Sequence, residues 1–191
     1  MIQPFSEPME PEPNNDHLSR LTSGVVLLAR EVLKDPNFEA TVVLICVYSK
    51  EGAYGLVVNR IAHMPLSEIF DGQTGSRSKE ILIGGPVQQE ELQILQVTTT
   101  PADGAYQIAP EIYMGGKWDD FSSAMESNSS EIRFFLGYSG WGPSQLESEI
   151  QLGAWDVFTV DIKKLLRHCH QLVGADTAAI TSFLQSISIS D

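Results

Sequence analysis

Residues 135–150 read FLGYSGWGPSQLESEI. Three glycines, a tyrosine, a tryptophan, a proline and two glutamates crowd into the space after an apolar run. That run, "IRFFLG" at 132–137, has the composition of a strand. Pro143 suits the first position of a helix. Leu146 and Ile150, four apart, would give that helix a buried face through about Leu152. The stretch is read as a strand-to-helix connection, and the fold is read outward from it.

Upstream, "GVVLLA" (24–29) and "ATVVLICVY" (40–48) are continuous apolar runs, the mark of strands buried on both faces. "YGLVVNR" (54–60) returns from the turn "SKEGA" to make a hairpin. "EILIGGPV" (80–87) is a strand ending on a double glycine. "LQILQV" (92–97) alternates, which predicts one wet face. "GAYQI" and "EIYM" are short strands, while "PLSEIF" (65–70) and "KWDDFSSAM" (117–125) read as helices. Downstream, "WDVFTV" (155–160) is a strand, "DIKKLLRHCHQLV" a helix capped by Asp161, and "DTAAITSFLQSI" a last helix. Strands lead and helices gather at the end, so the class is α+β. Residues 1–17 hold four prolines and four acids and are expected to be a disordered acidic tail, leaving one domain over 18–191.

Twelve basic residues against twenty-five acidic ones give a formal net charge of −13. DNA affinity depends on neutralising phosphates, so direct DNA binding is not expected. No stretch reaches the ~20 apolar residues of a membrane helix, and a signal peptide's basic and apolar regions are not seen. The expected compartment is the cytoplasm, where Cys46 and Cys169 would be reduced core thiols.

Chemistry is sought at four places. "GYSGW" after a strand has the context of a nucleophile elbow, but Trp141 stands where that tight turn needs glycine. His168, Cys169 and His170 diverge by about 100° per residue on a helix and cannot face one metal ion. Glu147 and Glu149 point about 200° apart and make a poor acid–base pair. No catalytic set, metal site or cofactor is read. The remaining candidates for a ligand or partner site are Asn59 and Arg60, then Gly84, Gly85 and Pro86, then Tyr138, Gly140, Trp141, Gln145 and Glu147. Each has a structural reading beside the functional one. Trp141 and Tyr138 can seal the domain, Gln145 can bond backbone, and Arg60 can pair internally.

Taken together, "GVVLLAREVLKDPNFEATVVLI", "EGAYGLVVNR", "GGPV", "FLGYSGWGPSQLESEI" and "AWDVF" resemble the AlgH/YqgE family of bacterial proteins over about Leu21 to Leu166. The resemblance implies an α+β domain with a mixed, bifurcated β-sheet folded into a pseudo-barrel with flanking helices. It implies a bacterial cytosolic protein, and no accepted catalytic mechanism. The label of transcriptional regulator that the family sometimes carries names a pathway effect and no DNA contact. Family members often have histidine at the positions of Tyr48 and Gln96, arginine at Glu91, and proline at Glu31 and Ile61. The expected function is a binding or regulatory module acting through a protein partner or small molecule. The alternative is an enzyme whose site around the GGPV and GYSGWG loops uses Arg60, Glu147 and Tyr138. The oligomeric state is left open.

Overall fold

In a computed structural model, which describes residues 15–63, 80–117 and 132–189, the two apolar runs become central strands. In chain order the elements are α1 (Asn15–Ser19), β1 (Val26–Ala29), β2 (Val42–Ser49), β3 (Gly52–Val57), β4 (Ile81–Ile83), β5 (Val87–Val97), β6 (Tyr106–Ala109) and β7 (Ile112–Met114). They continue with β8 (Ile132–Trp141), α2 (Gln145–Gln151), β9 (Trp155–Phe158), α3 (Ile162–His168), a 3-10 turn at Cys169–Leu172 and α4 (Thr177–Ser186). The helix expected over 65–70, and all but the first residue of the one expected over 117–125, lie outside the described residues.

The strands join in the order β6-β7-β5-β8-β3-β2-β1-β9, with β4 added to β8. Every pairing is antiparallel except β4 with β8, so the sheet is mixed. It forks at β8, whose first half pairs with β4 and β5 and whose last residues pair with β3. The hydrogen-bonded path is open, running from β6 to β9, which corrects the expectation of a barrel-like closure. The far end nevertheless folds back. Ile108, Ile112 and Met114 join the same apolar core as Val26, Leu28, Val42 and Leu44.

The alternation of side chains along β1 and β2 explains their unbroken apolar runs. Val26, Leu28, Val42 and Leu44 face a core closed by Leu165 and Leu166 of α3 and Ile180 and Leu184 of α4. Leu27, Val43 and Ile45 face a second core with Leu146 and Ile150 of α2 and the rings of Trp141 and Trp155. A strand sandwiched in this way has no solvent face on which to place polar residues.

Four local expectations change. Residues 15–17, placed in the tail, belong to α1, and His17 Nδ1 accepts a hydrogen bond from the Val157 backbone at 2.8 Å. The helix expected from Pro143 begins two residues later, after a left-handed Ser144 at φ 59°. The face of β5 expected to be wet is not, because Gln96 is buried. Its amide donates to the Gly115 carbonyl at 2.6 Å and accepts from the Ala102 backbone at 3.0 Å. Finally, "GYSGW" is not a turn, since β8 runs straight through it to Trp141.

Candidate functional site

The glycines of "GGPV" and "GYSG" meet at one point. β4 and β5 both pair with residues 134–136 of β8, so they flank it on opposite edges. The chain must pass from one edge of β8 to the other within residues 84–86. A Cβ on Gly84 would stand 2.3 Å from the Gly137 carbonyl oxygen, and one on Gly85 2.3 Å from the Tyr138 carbonyl. Gly137 takes φ 66°, and its own Cβ would meet the Gly85 and Val87 carbonyl oxygens at 2.7 Å. The pairing with β5 shifts register here, between Val87 and Leu92, and the left-handed Gly137 breaks the alternation of β8, so Phe135 and Tyr138 both turn to the first core. Ser139 is fully buried and donates to the Gly84 carbonyl at 3.2 Å, so its hydroxyl pins the crossing.

On one side of this crossing the second core is sealed by aromatics. Trp141 is 6% exposed and packs edge-on to Trp155 at 5.8 Å, with Phe38 stacked at 6.3 Å. Glu149 binds both indoles through one oxygen, Trp141 Nε1 at 2.9 Å and Trp155 Nε1 at 2.7 Å. Gln145 donates to the other oxygen of Glu149 and accepts from the Gly142 backbone. Glu147 accepts from the Tyr48 hydroxyl at 2.7 Å, and burial together with this carboxylate pushes the Tyr48 phenol up to about 12.

Asn59 and Arg60 hold the 30–41 loop. The Asn59 amide accepts from the Val42 backbone at 2.8 Å and donates to the Ala40 carbonyl at 2.9 Å. Arg60 Nη2 donates to the Pro36 and Glu39 carbonyls, each at 3.2 Å. Arg60 does meet Gly85 and Pro86, around a recess of about 30 Å³, roughly the share of one water. Tyr138 and Glu147 do not line that recess. Arg60, Glu147 and Tyr138 therefore have separate partners and do not converge as the enzyme alternative requires. Gly140 is exposed beside the Tyr138 ring.

On the other side of the crossing lies a tyrosine cluster. Tyr54 of β3 stacks on Tyr138 at 4.5 Å, with ring planes 20° apart. The Tyr54 hydroxyl is buried and has no hydrogen-bond partner. Burial, with Cys46, Tyr106, Tyr138 and Glu91 nearby, raises its pKa. Tyr106 donates to the Met114 thioether at 3.1 Å, and burial pushes its phenol up to about 12. Val47, paired across from Tyr54, and Tyr106 are exposed at the rim. Of this cluster the sequence reading named Tyr138 alone. Tyr54 was hidden in a hairpin strand whose alternation it obeys.

The sequence matches the model of the AlgH-like family (DUF179) over residues 26–173. The chain belongs to the AlgH-like family. Among its relatives is a UPF0301 protein of Chlorobaculum tepidum, 35% identical over 74% of this chain and 75% of that one. A UPF0301 protein of Myxococcus xanthus is 34% identical over 79% and 85%. The solution structure of AlgH from Pseudomonas aeruginosa shares the fold, with a TM-score of 0.68 and 21% identity over 96% of this chain and 94% of that one. The crystal structure of protein DIP2367 from Corynebacterium diphtheriae is similar over 72% of this chain and 75% of that one, with a TM-score of 0.62 and 23% identity. The match spans the crossing, the tyrosine cluster and the indole-binding Glu149, so all three stand within the AlgH-like region.

Proposed function

We propose that the protein is a cytoplasmic regulatory module that binds a small organic molecule at the tyrosine cluster. The observation that carries this is the buried, unpartnered Tyr54 hydroxyl above the Tyr54–Tyr138 stack. A buried hydroxyl without a partner costs about 1–3 kcal/mol, a cost that a ligand acceptor would remove. Stacked rings favour a flat ligand. The second reading, a protein partner at the same rim, draws on the exposure of Val47 and Tyr106. An enzymatic reading has less support, because the polar groups that acid–base work would need hold backbone and indoles instead.

Two buried thiols suit a reducing compartment. Direct DNA binding is not part of this reading. In the basic helix α3, Lys163 pairs with Glu111, Lys164 with Asp161, and the apolar stripe faces the core.

Phenol is a suitable flat probe. In NMR titration it should shift Tyr54 and Tyr138 resonances saturably and raise the melting temperature. Tyr54→Phe removes an unsatisfied polar atom, so it should melt at or above the parent while losing the phenol response. A parent that titrates no better than Tyr54→Phe would sink the proposal.

A further inference from the structure

The strand "EIRFFLG" carries a cation inside an apolar run. Arg133 lies opposite Leu95 in the β5–β8 register. By strand alternation it shares a face with Phe135. Leu95 and Phe135 are fully buried in the first core, which also holds Cys169. The charge of Arg133 acts on the Cys169 thiol, lowering its pKa against the larger effect of burial. Arg133 therefore projects toward the 3-10 turn on the inner side of the sheet.

Its Nε is buried and has no hydrogen-bond partner. A guanidinium presents five N–H donors and no acceptor; the Arg133 side chain is half-buried, and an N–H left unpaired at its buried Nε is costly. Three other arginines have partners. Arg20 pairs with Asp16, Arg30 with Asp156, and Arg60 binds two carbonyls. With twenty-five acids available, a carboxylate could readily have been placed against Arg133. Among the described residues none forms an ion pair with it. Among the described residues, the exposed Glu80 is a carboxylate that acts on the same thiol.

We infer that Arg133 is an oxyanion-binding residue, its planar fork taking the carboxylate or phosphate group of a small ligand against the apolar wall of Leu95, Phe135 and Cys169. A fork of parallel donors matches both groups bidentately. The apolar wall lowers the local dielectric and strengthens the contact. This site stands on its own observation, several residues along β8 from the tyrosine cluster, and it holds whether or not phenol binds there.

The buried Nε–H gives a direct probe by NMR of the full-length chain. Sodium acetate and inorganic phosphate are each titrated against sodium chloride of equal ionic strength. The expected result is a saturable movement of the Arg133 Nε–H resonance that chloride does not reproduce, lost from neighbouring residues in Arg133→Gln. A response to acetate identifies a carboxylate ligand, and a response to phosphate a phosphate ligand. Glu80→Gln should bind the anion more tightly, because it removes a competitor. Arg133→Lys keeps the charge without the fork and should bind about tenfold more weakly. That variant serves if Arg133→Gln does not fold. No movement beyond chloride in both the parent and Glu80→Gln overturns the inference, as does equal binding by Arg133→Lys. A Glu80→Gln change that alone moves the Nε–H resonance marks Glu80 as an internal partner and overturns it too.

Discussion

A methyl group added at Gly85 would stand 2.3 Å from the Tyr138 carbonyl and 2.5 Å from the Ser139 nitrogen. These are backbone atoms of a strand bonded on both edges, so they cannot give way as a flexible side chain would. Overpacking in a core costs about 1–3 kcal/mol, and this clash against fixed backbone should reach or exceed the upper end. Gly104 is the control. It has φ 80° with nothing within 4 Å of an added Cβ, so only the left-handed backbone opposes a side chain. Gly104→Ala should cost about 1–2 kcal/mol. Urea unfolding of Gly84→Ala, Gly85→Ala and Gly104→Ala should rank the first two far below the third. Equal losses would remove the crossing as the reason for these glycines.

At the scale of elements, helix α3 tests how a terminus is held. Asp161 accepts from the Lys164 backbone at 3.0 Å. That bond, with the Lys164 and Arg167 charges, holds its carboxyl below the usual range against the opposing effect of partial burial. A carboxyl with a depressed folded pKa adds stability above its unfolded value, about 3.9. That stability disappears as pH falls through the folded value. Asp161→Ala should cost about 1 kcal/mol at neutral pH, the usual worth of an N-cap. Asp161→Asn should keep most of the cap yet lose part of the acid slope. Urea midpoints at neutral pH and near pH 3 read both effects; an Asn variant with the parent's full acid slope would assign that slope to other carboxylates. This cap was legible because its signal is local, an acid directly before an apolar stripe. The apolar strands β1 and β2 were legible for the same reason. The last residues of β8, 138–141, were not, because clustered glycines look alike whether they make a turn or admit a crossing chain. Only the pairing of β4 and β5 on opposite edges decides between them. The burial of Gln96 and the orphaned Tyr54 hydroxyl were likewise invisible, since each depends on residues far away in sequence.

The whole molecule is arranged as two apolar cores on opposite faces of one layer. β1, β2 and β3 serve both, with Val26 and Leu28 on one side and Leu27 and Val43 on the other. Damage to either core should therefore pass through the shared strands to the other. Trp141 offers the cleanest way to cause it. Its ring lies wholly within the second core, wedged against Phe38 and Trp155, with its indole N–H bound to Glu149. Truncating a buried Trp costs about 3–5 kcal/mol, a large part of the ~5–15 kcal/mol that holds a typical domain. Trp141→Phe retains most of the packing and loses the bond to Glu149, so it should fall between parent and alanine. Among the described residues, helix α4 packs in the first core alone, through Ile180 and Leu184. If the layer couples the two faces, Trp141→Ala should lower hydrogen-exchange protection at Ile180 and Leu184 by the same free energy as at Leu27 and Val43. Should α4 keep its protection while the β1 and β2 amides lose theirs, the two faces unfold as separate units, and the layer is a partition rather than a shared core.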